Sequence, residues 1–493
     1  MNFIDSIIGY VAPQSGLDRV IARKKLERAY AGATRGRRGQ NWESSRLSAD
    51  AEIAVALPIL QDRSRELIRN NAYASRAMQV IQANVIGKGI QPAIMHKDQA
   101  FEDKIKKEWQ QWAGTTACDF DGRHNFYGLQ SLCMRAQAES GEVLIRRRWV
   151  KVRGKLVLKL QVLESDFLVT EQNSAFVKGK SLNDNRIIQG IEYSKKGHIV
   201  AYHVFKEHPY NLALDSFWKS SITTVRIPAE DIIHLYRADR PSQSRGVPWL
   251  TAVMQRLKDF DDYEQAQLLR QKLAACFMAF VTDLDGDPDE KDLEIFSKLE
   301  PAAIQFLPAG KQITLSDPPQ VNENYADYTR VMLQAVATGI GISYEAMTGN
   351  LKDINFSSSR MGWLEFQRNI EIWRSAINTT LNDKAFDWFS DWKSIMGMNM
   401  DKVEKSWTAP RREMIDPAKE VPALVDAVNN GMKTLSEVIR ENGKVPEDHF
   451  KELKAEREML DKMGLTFQTD NSQENSIAVP KKDDNLSKTN SKN

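Results

Sequence analysis

The sequence has few of the features that mark disulfide-rich, membrane-bound or nucleotide-hydrolysing proteins. Its three cysteines, Cys118, Cys133 and Cys276, are odd in number and widely spaced, which argues against a disulfide framework or a zinc module. No apolar run approaches the ~18–20 residues of a membrane span, and Met1–Pro13 lacks the basic segment and cleavage site of a signal peptide. The phosphate-binding loop GxxxxGK(S/T), the nucleophile elbow GxSxG, the zinc motif HExxH and the CxxC pair are also absent. We therefore expect no ATPase activity, no cofactor and no membrane contact.

The chain also lacks a clear excess of either charge. Sixty-eight Lys and Arg residues are balanced by 66 Asp and Glu residues, which leaves a net charge of +2. Proteins that grip nucleic acid along their length usually carry a clear basic excess. The start of the chain differs, because residues 1–49 hold nine basic residues and four acidic ones. We predict a basic N-terminal arm over residues 1–60, for which nucleic-acid contact and simple solvation both remain open.

Hydrophobic periodicity predicts an α+β fold. From Asp62, apolar residues at helical spacing predict a helix that ends at Gly87 or Gly89. Residues 142–237 then change to strand patterns. Two hairpins and a further strand are predicted there, over Val143–Val150 with Leu156–Leu163, over Ile187–Tyr193 with Ile199–Phe205, and over Ile232–Tyr236.

The second half of the sequence is mainly helical. A stripe of apolar residues after Pro248 predicts a helix to about Phe280. Two further long helices are predicted over Asn322–Ile340 and Ser358–Trp392. A small insert with strands near Ala303–Leu307 and Gln312–Leu315 connects the first helix to the second, and a loop rich in Gly, Ser and Asn connects the second to the third. Short helices should begin at Asp416–Pro417, at the capping box Thr434–Glu437 and at Pro446, the last with Phe450, Leu453, Leu460 and Met463 facing inward. Thr466–Asn493 has few apolar residues and is predicted to be disordered.

Three groups of residues resemble chemical sites. Asp283, Asp285, Asp287, Asp289 and Glu294 imitate the spacing of an EF-hand loop, but Pro288 occupies the position that needs Gly, which favours a solvated acidic turn. His198, His203 and His208 recur every five residues, so neighbouring members point to opposite faces of a strand and do not share a metal. The aromatic residues of the third long helix favour packing over base stacking. They are Trp363, Phe366, Trp373, Trp388, Phe389 and Trp392.

Several runs of residues, taken in order, resemble the lambda-like family of tailed-bacteriophage portal proteins, the head–tail connectors. They are Arg65–Asn71, Asn84–Gly89, Gly141–Arg146, Ile187–Tyr193, Ala201–His203, His208–Pro209, Pro228–Ala229, Ile233–His234, Arg240–Trp249, Gly339–Glu345 and Asn355–Arg360. Two positions depart from the family pattern: Asn350 stands where Asp is common, and Phe356 stands where Tyr is common.

The resemblance implies a portal fold whose parts are called wing, stem, clip and crown. The arm would be followed by a wing over residues 61–247, a stem helix over 248–280, a clip over 281–320 and a second stem helix over 321–340. A tunnel loop over 341–357 would then lead to a long helix and a return to the wing over 358–415, a helical crown over 416–465 and the tail over 466–493.

The resemblance also implies the function and its residues. The protein would not be an enzyme but a ring, dodecameric in the family, at one vertex of the virion, assembled in the host cytoplasm. The implied partners are double-stranded DNA in the channel, the large terminase subunit, head-completion and neck proteins, and the major capsid and scaffold proteins. The DNA-channel loop would use Gly349, Asn350, Lys352, Asp353, Asn355 and Ser357, and the clip docking surface Asp283, Asp285, Asp287, Asp289, Glu290 and Glu294. Motif residues with a structural role would be Arg240, Pro241, Gln243, Arg245, Gly246, Pro248, Tyr344, Glu345, Ser358 and Arg360.

Two alternatives of other classes stay open on the residues alone. One is a nucleic-acid-processing enzyme whose acidic cluster at Asp283–Asp289 binds two metal ions, although such sites usually gather carboxylates from several elements. The other is a monomeric DNA-binding head adaptor that uses the basic residues 1–49.

Overall fold

A computed structural model describes residues 46–170, 185–210, 223–275, 279–283, 311–315, 325–351, 356–411, 414 and 416–464. These residues form two units. The small one contains residues 46–55 and Arg240–Ser242, and the large one contains the others. Most of the predicted N-terminal arm, most of the clip insert and the predicted disordered tail therefore lie outside the described residues.

Helices and strands occur in separate runs along the described chain. The helices are α1 (Ala49–Asn70), α2 (Ala72–Val85), α3 (Gln99–Ala113), α4 (Phe126–Ser140), α5 (Met254–Ala275), α6 (Tyr325–Ile340), α7 (Tyr344–Thr348), α8 (Phe356–Ile377), α9 (Asp383–Ile395), α10 (Pro417–Asn429), α11 (Leu435–Glu441) and α12 (Pro446–Met463). The strands are β1 (Gln91–Met95), β2 (Glu142–Val152), β3 (Lys155–Glu164), β4 (Arg186–Ile188), β5 (Ile191–Tyr193), β6 (Ile199–Phe205), β7 (Thr224–Pro228), β8 (Ile232–Tyr236), β9 (Ala279–Asp283), β10 (Lys311–Leu315) and β11 (Glu404–Thr408). This mixture of helices and antiparallel sheets confirms the α+β class.

The described strands form four antiparallel sheets. Their orders are β3-β2-β8, β4-β5-β6-β7, β1-β11 and β9-β10. The buried apolar residues form two clusters, and β2 contributes to both because its side chains alternate between faces. Val143 and Ile145 lie in the larger cluster, while Leu144 lies in the smaller one with Leu163.

The hairpin predicted over Val143–Val150 and Leu156–Leu163 is confirmed, with Val152 paired to Lys155 across the turn. The second predicted hairpin is more divided than the sequence suggested. Ile187–Tyr193 is not one strand, because Gln189 and Gly190 both have positive φ angles, of 48° and 82°, and turn the chain between β4 and β5. A tight hairpin turn requires such angles, and Gln is an unusual residue to provide one.

The first predicted helix begins earlier and is interrupted. α1 starts at Ala49 rather than Asp62, so the last part of the predicted arm is helical. Residues 53–60 are all apolar, so they show no helical period, and Pro58 inside α1 is a residue that normally ends or kinks a helix. The helix stops before Asn71, whose side chain accepts the N–H groups of Tyr73 and Ala74 and caps α2.

The predicted stem helix over 248–280 is wrong at both ends. Pro248 to Val253 form hydrogen-bonded turns, and α5 begins only at Met254. It ends at Ala275, and Ala279–Asp283 is the strand β9, in which the aromatic and β-branched residues favour an extended chain. The strand predicted at Gln312–Leu315 is confirmed as β10, whereas Ala303–Leu307 lies outside the described residues.

The third long helix packs its aromatic residues as predicted, but its bounds differ and a π-helical turn interrupts it. α8 begins at Phe356, and a π-helical turn over Asn378–Asn382 joins it to α9, which ends at Ile395. The side chains of Phe366, Trp388, Phe389 and Trp392 are buried. Trp109 of α3 meets Phe389 edge to face with 5.1 Å between ring centroids. The aromatic residues are therefore core residues, as predicted.

The C-terminal helices match their predicted start signals, including the capping box of Thr434 and Glu437. The inward face predicted for α12 is wrong: Phe450, Leu453 and Met463 are 42%, 42% and 64% exposed. Within one chain α12 is attached to α3 by ion pairs, with 2.8 Å both from Lys106 to Asp448 and from Lys451 to Asp103, so its apolar side chains are not needed for that contact.

Candidate functional site

The predicted tunnel loop begins with an ordered turn. α6 ends at Ile340, and Gly341 follows with a φ of 87°, a conformation that favours glycine. Its N–H donates to the carbonyl of Ala337 at 2.9 Å, and its own carbonyl accepts the side-chain amide of Asn369 from α8 at 2.9 Å. The start of the segment is thus fixed to both neighbouring helices.

The first half of the predicted loop 341–357 is a helix, which corrects the prediction of a continuous loop. Ser343 caps α7 by accepting the N–H of Ala346, and Gly349 ends it in the left-handed conformation. Arg76 of α2 donates to the carbonyl of Ala346 at 3.3 Å, and Met347 is buried. A five-residue helix has too little periodicity to be detected from sequence.

The predicted channel residues divide between the described and undescribed parts of this segment. The N–H of Asn350 donates to the hydroxyl of Thr348 at 3.2 Å, and its side-chain amide lies 3.5 Å from the hydroxyl of Tyr344. Glu345 accepts the N–H of Gly349 through its carbonyl at 2.8 Å. Ser357, Ser358 and Arg360 belong to the first turns of α8. Lys352, Asp353 and Asn355 lie outside the described residues.

The end of α6 packs against the turn before α5 with almost no spare space. A Cβ atom built on Gly339 would lie 2.4 Å from Cγ1 of Val253, whose side chain is buried. Tyr263 of α5 also stacks on Tyr325 at the start of α6, with 6.1 Å between centroids. The two predicted stem helices therefore meet at two places. The end of α6 packs on the turn before α5, and the start of α6 packs on Tyr263 within α5.

We predict that Gly339→Ala lowers the free energy of unfolding by about 1–3 kcal/mol, the usual cost of overpacking a core. Helix propensity alone would change stability in the opposite direction, because Ala is favoured over Gly in a helix by up to about 1 kcal/mol. Gly362→Ala is the matched control, since a Cβ on Gly362 in α8 meets nothing within 4 Å. Urea unfolding should show a loss for the first variant and a small gain for the second; equal gains would contradict the packing argument.

The predicted clip surface is described only at its edge. Asp283 is the last residue of β9 and lies opposite Lys311 of β10 in the antiparallel strand register. Asp285, Asp287, Asp289, Glu290 and Glu294 lie outside the described residues, so their role in docking stays a prediction.

The motif residue Arg245 forms a buried ion pair with Glu142. Arg245 is 1% exposed and Glu142 is fully buried. The Nε atom of Arg245 lies 2.8 and 3.0 Å from the two carboxylate oxygens, and its Nη2 atom also donates to Oε1. Such a bidentate pair is the geometry that Arg offers and Lys does not.

Three further groups complete the surroundings of Glu142. His234 of β8 lies with Nε2 2.9 Å from Oε2, and the N–H of Gly246 donates to the same oxygen at 3.0 Å. Nη1 of Arg245 donates to the carbonyl of Gln189 at 3.4 Å, in the turn between β4 and β5. Burial alone would raise the pKa of Glu142, but the charge of Arg245 and the hydrogen bond with His234 lower it to about 2. Arg245 therefore links the two larger sheets, because it binds the ionised carboxylate of Glu142 in one sheet and the carbonyl of Gln189 in the other.

Close backbone contact explains the glycine after Arg245. A Cβ atom on Gly246 would lie 2.1 Å from the carbonyl oxygen of Gly141, which precedes β2. Gln243 supports the same turn, because its side-chain amide donates to the carbonyl of Arg245 at 2.7 Å and its carbonyl accepts the hydroxyl of Tyr236 at 2.9 Å. Pro248 accepts the N–H of Thr251 at 3.1 Å.

The start of the same motif belongs to the small unit. Arg240 pairs with Glu52 at 2.6 Å and donates to the carbonyl of Leu47 at 3.2 Å. The side chains of Arg240 and Glu52 are about half exposed, and Pro241 is exposed as well. Arg240 and Arg245 thus occupy opposite environments although five positions separate them.

Sequence reasoning missed the partnership of Glu142 and His234 with Arg245. All three lie in runs that carry the family resemblance, but Glu142 is 92 positions from His234 and 103 positions from Arg245. A buried charge needs a partner, and an acidic residue directly before the apolar run Val143–Ile145 was the available signal.

Among the described residues, one group has the composition of a metal site. Ligand atoms of Glu164, Asp166 and His208 lie within 4.8 Å of one another. Arg65 donates to both carboxylate oxygens of Asp166, at 3.1 Å to Oδ1 and closer to Oδ2. The guanidinium group already neutralises this carboxylate, and the group is an ion-pair cluster at the base of the β2–β3 hairpin.

Comparison with known families decides the assignment. The model of the family described as phage portal protein, lambda family, matches residues 35–374, which is more than half of the chain. The chain belongs to the lambda family of phage portal proteins. The resemblance predicted from the short motif runs is thereby confirmed.

Individual portal proteins match along nearly the whole chain. A probable portal protein of Halomonas phage phiHAP-1 is 26% identical over 476 residues, which cover 90% of this chain and 89% of that protein. Portal protein B of Escherichia phage lambda is 22% identical and covers 87% of this chain and 89% of its own length. In a solved structure of the neck of a native gene transfer agent particle, one chain matches 78% of this chain and 93% of its own length with a TM-score of 0.47 and 13% identity. The family assignment rests on the sequence matches alone.

Family membership settles several predictions. A lambda-family portal protein is a structural component of the phage capsid and a head–tail connector, so the prediction that the chain is not an enzyme is confirmed and the metal-dependent enzyme is ruled out. Membership implies a ring-forming component of the virion at the capsid vertex, associated with capsid and tail. None of the helices described is both long and apolar enough to cross a membrane.

Proposed function

We propose that twelve copies of this portal protein close a ring around a channel for double-stranded DNA, used in packaging and ejection. Membership of the portal family supports the number twelve and the presence of a channel. The exposed apolar residues of α5 support ring closure: Leu268 and Leu269 are 52% and 59% exposed on neighbouring positions of one helix. In a closed ring each subunit presents two different faces to its neighbours, and apolar residues exposed in one chain supply such a contact.

The charge of the chain suits a conduit that lets DNA slide. Each phosphate neutralised by a cation adds affinity through counterion release, so a strongly basic bore repeated by ring symmetry would hold the DNA. The chain carries a net charge of only +2, and Lys352 is the only cation between Gly341 and Ser359. One lysine from each subunit at the predicted tunnel loop gives a ring of widely spaced positive charges, which contacts DNA without holding it tightly.

The remaining assignments extend the proposal to partners. The β9–β10 pair and the acidic segment Asp283–Glu294 form the clip, which docks the large terminase subunit during packaging and the head-completion and neck proteins afterwards. The residues before 247 form the wing beside the major capsid and scaffold proteins, and α10–α12 form the crown. Assembly takes place in the host cytoplasm before the ring becomes part of the virion.

We predict that the double variant Leu268→Glu/Leu269→Glu reduces the fraction of purified protein found as rings on the order of tenfold, since two buried charges per interface without partners oppose association. Negative-stain electron microscopy measures rings with a central hole at one protein concentration. Gln255→Glu is the matched control, because it adds negative charge at an exposed position of the same helix about 20 Å from Leu268. Wild-type particles without a central hole would contradict the proposed channel, and normal rings in the double variant would contradict this interface only.

A further inference from the structure

The β2–β3 hairpin concentrates positive charge in a nearly neutral chain. Between Glu142 and Glu164 the sequence has seven Lys and Arg residues and no acidic residue, whereas the whole chain has a net charge of +2. The charge is therefore a property of this hairpin and not of the chain as a whole. The proposed channel makes no use of it.

Two of these cations hold the hairpin in place. Arg147 binds Asp231 at 2.7 Å and Asp391 at 3.2 Å, and its guanidinium lies over the rings of Trp149 and Trp388 at 5.4 and 5.6 Å from their centroids. Nζ of Lys159 donates to the carbonyl of Asp119 at 2.7 Å. The hairpin is thus a firmly attached support for its other charges.

The other five cations form no ion pair within the part of the chain that the structure describes. They are Arg146, Arg148, Lys151, Arg153 and Lys155. Lys151, Arg153 and Lys155 are exposed at the tip, and Arg148 lies over the ring of Phe120 at 5.0 Å. The carboxylate of Asp119, which lies next to this surface, accepts the N–H groups of Arg123 and His124 at 2.8 and 2.9 Å and is engaged there.

The base of this surface shows the effect of uncompensated charge. Burial and the neighbouring Arg148 lower the pKa of the Arg146 guanidinium, while Asp231 acts in the opposite direction. Arg146 and Arg148 lie on the same face of β2, because side chains two positions apart along a strand share a face. An anion bound between them would remove this repulsion.

We propose that this cationic hairpin surface, Arg146, Arg148, Lys151, Arg153 and Lys155, binds the phosphate backbone of double-stranded DNA outside the channel. Three features favour DNA over an acidic protein. Guanidinium groups bind phosphate in bidentate fashion, the exposed cations Lys151, Arg153 and Lys155 lie within five positions of one another at the tip, and the uniform charge of DNA needs no matching apolar pocket.

Covalently closed circular DNA tests this surface separately from the channel, because a closed circle cannot thread a closed ring. We expect the full-length ring to bind such DNA with salt-dependent affinity. The tip variant Lys151→Gln/Arg153→Asn/Lys155→Gln should reduce the slope of log K against log salt by up to about 2.7, or about 0.9 for each lost phosphate contact. Asn suits position 153 because the φ of Arg153 is 50°.

The matched control removes the same charge elsewhere. Lys104→Gln/Lys107→Gln/Lys454→Gln changes three lysines that are exposed on α3 and α12 and should leave the affinity and the slope within about twofold of wild type. Unchanged thermal unfolding of both variants excludes a folding effect.

Either of two results would overturn the proposal. One is equal binding of circular DNA by the tip variant and the control variant. The other is that polyglutamate competes DNA from the wild-type ring at equal charge concentration and binds more tightly, which would assign the surface to an acidic protein. The channel proposal is untouched by both results, because it concerns linear DNA that threads the ring.

Discussion

Arg245→Met is expected to lower the free energy of unfolding by about 3–5 kcal/mol, the cost of removing one partner of a buried ion pair. The variant keeps most of the side-chain volume but leaves the carboxylate of Glu142 fully buried without its bidentate partner. It also removes the donor to the carbonyl of Gln189, which links the two larger sheets. Denaturant unfolding at fixed protein concentration measures the loss, since ring assembly makes apparent stability depend on concentration.

Arg240→Met provides the matched control from the same motif. Arg240 pairs with Glu52, but the two side chains are 51% and 40% exposed, and exposed pairs contribute at most about 1 kcal/mol. Combining Arg245→Met with Glu142→Gln should recover more than half of the loss, because the buried charge disappears while Gln still accepts the N–H of Gly246. If both single variants unfolded alike, the buried pair would not be the cause.

Acid should reduce the difference between wild type and Arg245→Met. The folded-state pKa of Glu142 is lowered to about 2 from its usual 4.5, so the stabilisation is fully present above about pH 4.5 and is lost as the pH falls towards 2. The variant lacks the Arg245 contribution at every pH. Unfolding curves across this interval therefore approach each other as the pH falls, and a constant difference would contradict the role of the ionised carboxylate.

Deleting Leu351–Ile354, or replacing Lys352 with alanine, is expected to leave rings assembled while DNA-filled heads decrease on the order of tenfold, since ring symmetry repeats the loss at every subunit. This expectation depends on the proposed channel. The ordered turn that precedes the deletion is held by Arg76 and Asn369, so ring assembly should tolerate the change. Electron microscopy measures the rings, and nuclease-protected DNA in assembled heads measures packaging and retention.

Lys107→Ala is the control for this experiment, because it removes one exposed lysine from α3, away from the predicted tunnel loop. It should package DNA at the wild-type level. Full-length DNA retained at the normal rate by both loop variants would show that the loop does not contact DNA. Loss of the rings themselves would show that the segment acts in assembly instead.

Local patterns were enough to predict much of the fold. The β2–β3 hairpin follows from two alternating runs around Arg153–Gly154, and the capping box of Thr434 and Glu437 starts α11 where predicted. Such elements depend on neighbours within a few positions, which a sequence displays directly. The ends of α5 were missed because the apolar stripe continues through Trp249 and Phe280, although the chain forms turns at one end and a strand at the other.

Elements decided by distant contacts could not be predicted. The packing of the end of α6 on the turn before α5 depends on Gly339 meeting Val253, and α7 is too short to show a period. The face of α12 was read from periodicity as core, yet Phe450 and Leu453 are exposed because ion pairs with α3 attach the helix. Periodicity identifies an apolar face but not the molecule that covers it.

The sequence by itself determined the α+β class, the family and the near-neutral charge that suits a sliding conduit, since order, composition and motif runs are all properties of the chain as written. Only the tertiary structure decided that Glu142, His234 and Arg245 form one buried cluster and that Arg240 does not. The reason is physical: the worth of a charge depends on its burial and on the partner that reaches it, and both are set by residues about 100 positions away.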